Sequence, residues 1–324
     1  MAHIAATDTV TGSAVSAHDG GAGSTRSRRR RPSFAWLGLA PFFLLIGVFF
    51  VLPIVVFLYT AFRQRTNVRD PKTQQFVHTT DYTFSNVSNS LKGIYRTSLV
   101  NSVEVSLVTA LVASVCGILL AYAVVNSRSQ FLRQIVIAGA AVTANFGGVP
   151  LAFIFIATLS SAGLLTTTLQ DHLNLSLQND LGFQLTSTSG IELVYLYFLI
   201  PLMVLVMSPA LEGLKPQWGE AAENLGASRW QYWRYVAGPV LLPNFLGSVL
   251  LLFCSAFSAY ATAYALVGGS FPLIPLQIAN VLSGNVLSGQ ENLGAAMALD
   301  MVILVVPLTL IYQLLQRRTS RWLG

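Results

Sequence analysis

The stretch GEAAENLGASRWQYWRYVAGPVLLPNF, residues 219–245, is the longest charged run between the apolar blocks in the second half of this chain, and it leads straight into another such block. How it reads depends on what solvent surrounds it. Of 324 residues, 53% are hydrophobic and 10% charged, whereas soluble domains carry about 25% charged residues. A chain of this length has too little interior to hide that much apolar surface from water. Lipid is therefore the expected solvent. The net charge of +6 does not mark a nucleic-acid face, because the basic residues gather at the ends of apolar blocks.

Residues 1–33 are rich in Ala, Ser, Thr and Gly and close on the basic run RSRRRR, the composition of a disordered cytoplasmic tail that anchors topology. Residues 34–62 form a first span, too long for a signal-peptide core. Further apolar blocks at about 98–125, 135–160, 190–211, 236–267 and 296–316 are each long enough to cross the hydrocarbon. The fifth exceeds that need and is expected to begin or end outside the core. A tail at 317–324 follows. With both termini inside, thirteen of the 19 Lys and Arg fall on the inner side, and the other six (Arg63, Arg65, Arg69, Lys72, Lys92, Arg96) lie in the outer loop 63–97. Residues 219–245 are then cytoplasmic. Cys116 and Cys254 sit within apolar runs and read as small buried hydrophobes. The four histidines form no ligand-spaced cluster, so no metal site is expected.

In the quoted stretch Ala222, Leu225, Trp233 and Val236 recur at the spacing of one helical face. Glu220 and Glu223 are placed in the first turn, where the helix dipole favours them, and Gly226 predicts a bend. On its own this describes an interfacial helix with tryptophans at the headgroups. The order of residue types says more. Glu220-Ala221-Ala222, three residues, Gly226, nine residues, then Val236 and Pro239 resembles the EAA loop of binding-protein-dependent ABC importer permeases: EAA, three residues, Gly, nine residues, Ile-x-Leu-Pro. Val236 stands for the Ile and Gly238 for the Leu, and a glycine there is expected to loosen the seating of the next span. A weaker resemblance covers about residues 95–316, including NSVEVSLVTALVASVCGILLAYA and LGAAMALDMVIL.

The resemblance implies an all-α membrane protein with the type I ABC importer permease fold: six transmembrane helices and an EAA loop, residues 216–243, forming cytoplasmic coupling helices. It implies that Glu220, Ala221, Ala222, Gly226 and Pro239 couple to a separate ABC ATPase dimer, with Trp230 and Trp233 tying the loop to the spans. It also implies a second permease subunit, identical or homologous, and an extracytoplasmic solute-binding protein, all in a bacterial inner membrane. FGGVPLAF and YALVGG look more like permeases for polyamines, iron and phosphonates than the sugar group, which stays open as the alternative.

The chain has no G-x-x-x-x-G-K-[ST] loop for nucleotide phosphates, so it is expected to bind no cofactor itself, with ATP used by the partner. It also lacks an arginine-rich voltage sensor, a filter sequence and a dense relay of intramembrane acids, features of channels and ion-driven carriers. No nucleophile–base pair or metal cluster suggests a membrane enzyme. Glu104 and Asp300 are the acids expected within spans, roughly 9 Å and 6 Å from the outer ends, lining an entrance that favours a cationic or amine-bearing solute. Gly147, Gly148 and Pro150 predict a kink, a close helix contact or a solute-lining break in the third span.

Overall fold

The computed structural model describes residues 35–69, 76–174, 176–180, 182–283 and 291–320; the expected tail at 1–33 lies outside them. The chain divides into two units, Met1–Val51 and Leu52–Gly324. In the first, α1 (Ala35–Ile46) continues into a π turn, Gly47–Val51. The second starts with α2 (Leu52–Ala61). Six segments are long and apolar enough to cross a membrane: Leu39–Ala61, Gly93–Val125, Val149–Leu173, Thr188–Glu212, Arg229–Phe257 and Asn292–Leu314.

After α2 the expected loop at 63–97 contains an antiparallel ribbon, β1 (Arg63–Arg69) on β2 (Phe76–Tyr82), an addition to the all-α expectation. The ribbon is stitched to the end of α2. Thr83 N–H donates to the Phe62 carbonyl at 2.9 Å. From α3 (Ser85–Ser90), the Asn86 side chain donates to the carbonyls of Ala61 and Arg63 at 3.2 and 2.8 Å.

The centre of the second unit is α4 (Gly93–Val125) packed on α8 (Thr188–Glu212). The buried face of α4 is small and weakly polar, with Ser102, Ser106, Thr109, Ala113 and Ala121, while Leu107, Leu111, Val115 and Leu119 are exposed. That inverts a soluble helix. In lipid, small residues let helices approach closely and large apolar ones can face the solvent. Two buried hydroxyls in these helices are satisfied by donating four residues back, Thr109 to the Val105 carbonyl and Ser208 to that of Val204. Cys116 is exposed and Cys254 partly so, and both are free, so neither is the enclosed hydrophobe its apolar run predicts.

The block predicted to span at 135–160 is broken where Gly147 and Gly148 suggest, into α5 (Gln130–Asn145) and α6 (Val149–Leu159), and the membrane-length segment runs instead from α6 into a short helix, α7 (Leu164–Leu173). The over-long fifth block also resolves into two helices, α11 (Gly238–Phe257) and α12 (Tyr260–Val267), parted at Ser258–Ala259. Between α8 and α11 lie α9 (Pro216–Asn224) and α10 (Arg229–Tyr232); after α12 come α13 (Ile274–Leu282) and α14 (Glu291–Ser320), whose last turn includes residues expected in a tail.

Breaks in apolar spans expose backbone groups that lipid cannot satisfy, so side chains of neighbouring helices must. Four do so here. Thr262 Oγ1 accepts from the Gly148 N–H at 2.8 Å, and Tyr195 OH donates to the Ala259 carbonyl at 2.9 Å. Ser102 Oγ accepts from the Ile274 N–H at 2.8 Å, and the Asn101 amide donates to the Pro272 carbonyl at 3.2 Å.

Candidate functional site

The residues of the EAA pattern form a two-helix platform at the end of the bundle where α4 and α8 finish. Pro216 opens α9 at a position where its missing N–H costs nothing. The helix thus starts earlier than predicted, and Glu220 and Glu223 lie beyond its first turn. Of α9 only Ala222 is buried; Glu220, Ala221 and Glu223 are exposed. The order of residues in the pattern therefore has a direct geometry: acid and first alanine outward, second alanine against the protein.

Gly226 ends α9 in the left-handed region, at φ +75°. The Ala227 N–H donates to the Ala222 carbonyl and the Gly226 N–H to that of Glu223, both at 2.9 Å. This pair of bonds is a Schellman motif, which requires the positive φ that glycine adopts without strain. Two residues later Ser228 starts α10 with a capping box: its N–H donates to Gln231 Oε1 at 2.7 Å and its Oγ accepts from the Gln231 N–H at 3.3 Å. The single helical face predicted through Ala222, Leu225, Trp233 and Val236 is thus cut in two, and Leu225 is 88% exposed.

The two tryptophans separate. Trp233 is half-buried, edge-on to Tyr122 of α4 at 5.3 Å between ring centroids. Trp230 is 72% exposed, so it does not tie the platform to the spans as expected; the chain turns at Gly226 and leaves it on the outer face. One open cleft of about 510 Å³ is bordered by Trp218, Ala221, Leu225, Gly226, Tyr235 and Val236. A second, of about 630 Å³, lies between platform and bundle and includes Tyr122, Asn126, Glu223 and Arg229, with the Arg133–Glu212 ion pair joining α5 to α8 in its wall.

α10 passes into α11 through a π turn, Trp233–Ala237. A Cβ on Gly238 would lie 2.6 Å from the Trp233 carbonyl oxygen. The glycine thus tightens this junction rather than loosening it. Pro239 follows in the first turn of α11 and is exposed.

The intramembrane acids do not stand as expected. α4 and α14 begin at Gly93 and Glu291, so Glu104 and Asp300 are about 16 Å and 14 Å along their helices. Glu104 is exposed, and Glu192 of α8 lies within reach of its charge. Glu192 was missed, although it lies only two residues inside the predicted fourth span. Asp300 is 7% exposed, enclosed where α14 meets α3, beside Ser90 and with no hydrogen bond to its Oδ2 among the described residues. It does not share an open entrance with Glu104, because the segment expected as loop folds as α3 and covers it. Gly147 and Gly148 form the α5–α6 break, Gly148 at φ +83°.

Among the described residues no group of His, Cys, Asp and Glu could hold a metal ion. Residues 20–321 match the family described as "binding-protein-dependent transport system inner membrane component". The chain belongs to that family, a transporter component and not an enzyme, and is an integral membrane permease subunit of an ABC importer. It is 23% identical over 270 residues to the trehalose transport system permease protein SugB of Mycobacterium tuberculosis, covering 83% of this chain and 88% of that one. It is 27% identical over 190 residues to the spermidine/putrescine transport system permease protein PotC homolog of Mycoplasma genitalium, covering 59% and 61%. Its fold resembles that of a bacterial ABC transporter involved in import of the acidic polysaccharide alginate, with TM-score 0.65 and 17% identity over 88% of this chain and 95% of that one.

Proposed function

We propose that the α9–α10 platform lies in the cytoplasm and docks on a separate ATPase dimer, with Glu220 and Ala221 at the contact. The excess of Lys and Arg on that side of the spans supports the orientation, with both termini inside. The observation that carries the docking role is the Schellman-capped turn at Gly226, with Glu220 and Ala221 exposed on the helix before it and Ala221 at the edge of an open cleft. ATP is bound and hydrolysed by the partner. A second permease subunit completes the path, and a soluble binding protein delivers solute from outside. Nucleotide-driven closure of the ATPase pushes α10, the push passes through Trp233 to α4 and through the π turn to α11, and the spans alternate access.

For the solute, we propose a small cation or amine. Glu104 and Glu192 supply two neighbouring acids on the two central helices, and intramembrane acids are costly unless they face water or a partner. The likeness to a spermidine/putrescine permease supports this reading. A neutral sugar is the second reading, favoured by the trehalose permease relative that covers most of the chain. Reconstituted complex carrying Glu104→Gln and Glu192→Gln together is expected to lose amine uptake by about tenfold or more, chiefly through a raised KM. Unchanged amine uptake in that variant, or uptake of sugars alone by the wild type, contradicts the amine assignment.

A further inference from the structure

The junction between α10 and α11 leaves regular helical geometry at a single turn. We propose that Gly238 is a positioning residue for coupling: its missing Cβ admits the π turn, and that turn sets the rotational orientation of the α9–α10 platform about the axis of α11. This rests on the permease reading and deepens it.

In the π turn the Gly238 N–H donates to the carbonyl of Trp233, five residues back. A Cβ at 238 would lie 2.6 Å from that oxygen and 3.8 Å from its carbon. The obstacle is backbone, which cannot swing aside as the tip of a side chain can. Any other residue at 238 therefore favours closing the turn four residues back, which expels one residue from it. In an α-helix one residue corresponds to about 100° of rotation.

That rotation cannot be absorbed by α11. Its Leu241, Ser248, Leu252, Phe253 and Ala256 are all buried in the bundle. The platform side is held more lightly: Arg229, Trp230 and Gln231 are exposed, and Trp233 against Tyr122 is the aromatic contact that pins it. The turn about the axis falls on α9 and α10 and carries Glu220 and Ala221 away from their setting. Since the EAA pattern has Leu where this chain has Gly238, the pattern's own residue is incompatible with the junction built here.

The test uses the full chain reconstituted with its partner subunits, at matched amounts in the membrane. Gly238→Leu is expected to lower ATP-driven uptake, and the stimulation of ATP hydrolysis by loaded binding protein, by roughly tenfold. Gly238→Leu combined with deletion of Arg234, an exposed residue of the π turn, converts the turn to an α-helix in the original phase. That variant is expected to recover to within about threefold of wild type. Wild-type coupling in Gly238→Leu overturns the inference, and so does a defect that the deletion leaves unrepaired, since that marks simple local damage. Absence of ATP-driven uptake by the wild type would strike the permease reading instead.

Discussion

Gly226→Val is expected to cut solute uptake by about 30-fold or more while the chain still reaches the membrane. At φ +75° a β-branched side chain meets the backbone, at a cost of roughly 1–2 kcal/mol for an ordinary residue and more for valine. Moving out of that region also breaks the two Schellman bonds to Ala222 and Glu223, each contributing about 0.5–1.5 kcal/mol. Strain is what lowers the population of the platform geometry, by about 2 kcal/mol or more for valine, where 1.4 kcal/mol is tenfold. The loss stays local, because apart from its own chain neighbours a Cβ at this position meets nothing within 4 Å. Membrane-fraction immunoblots paired with uptake separate the two effects: normal insertion with little transport is the expected pattern. Asparagine, which tolerates the left-handed region, should retain more activity than valine. Equal uptake by Gly226→Val and wild type would remove the turn from the mechanism.

Thr262→Val is expected to destabilise the bundle by about 0.5–1.5 kcal/mol, since it removes the buried hydroxyl that accepts from the half-buried Gly148 N–H. The substitution keeps the shape and removes only the hydroxyl, so packing loss cannot account for the effect. Thermal melting of the detergent-solubilised protein is the readout. Thr262→Ser should melt close to wild type, and Thr262→Val several degrees lower, about 2–4 °C per kcal/mol on the scaling of soluble domains. A valine variant as stable as wild type would mean that the break between α5 and α6 is held by something other than this bond.

Much of the plan could be read from the sequence, for reasons that differ by element. The spans other than the third, which lies further along the chain than its predicted block, were legible because lipid demands long apolar runs, and that signal is strong. The platform was legible only through the spacing of Glu220, Gly226 and Pro239 in the EAA pattern. Helical periodicity taken alone misled there, joining Ala222 to Trp233 across a glycine that in fact ends one helix before another begins. The break at Gly147–Gly148 had a local signal in its two glycines. The break at Ser258–Ala259 had none, since its sequence, AFSAYA, contains no breaker; it is held by Tyr195, which lies 64 residues away along the chain. The ribbon was missed although the β-branched residues of 76–80 and the Asp70-Pro71 pair are strand and turn signals. The partners of the intramembrane acids were beyond sequence reading, because pairing Glu104 with Glu192 and enclosing Asp300 beside Ser90 are outcomes of how α3, α4, α8 and α14 pack.

The central claim, that residues 216–237 form a platform moved by another subunit's nucleotide cycle, is tested most directly by a photoreactive residue placed at Ala221 in intact cells. The account predicts a covalent adduct with a protein whose sequence contains a G-x-x-x-x-G-K-[ST] loop, formed in a yield that changes when nucleotide hydrolysis is trapped. An adduct formed with an extracellular protein, or no adduct with any nucleotide-binding subunit while the chain is transporting solute, would contradict it.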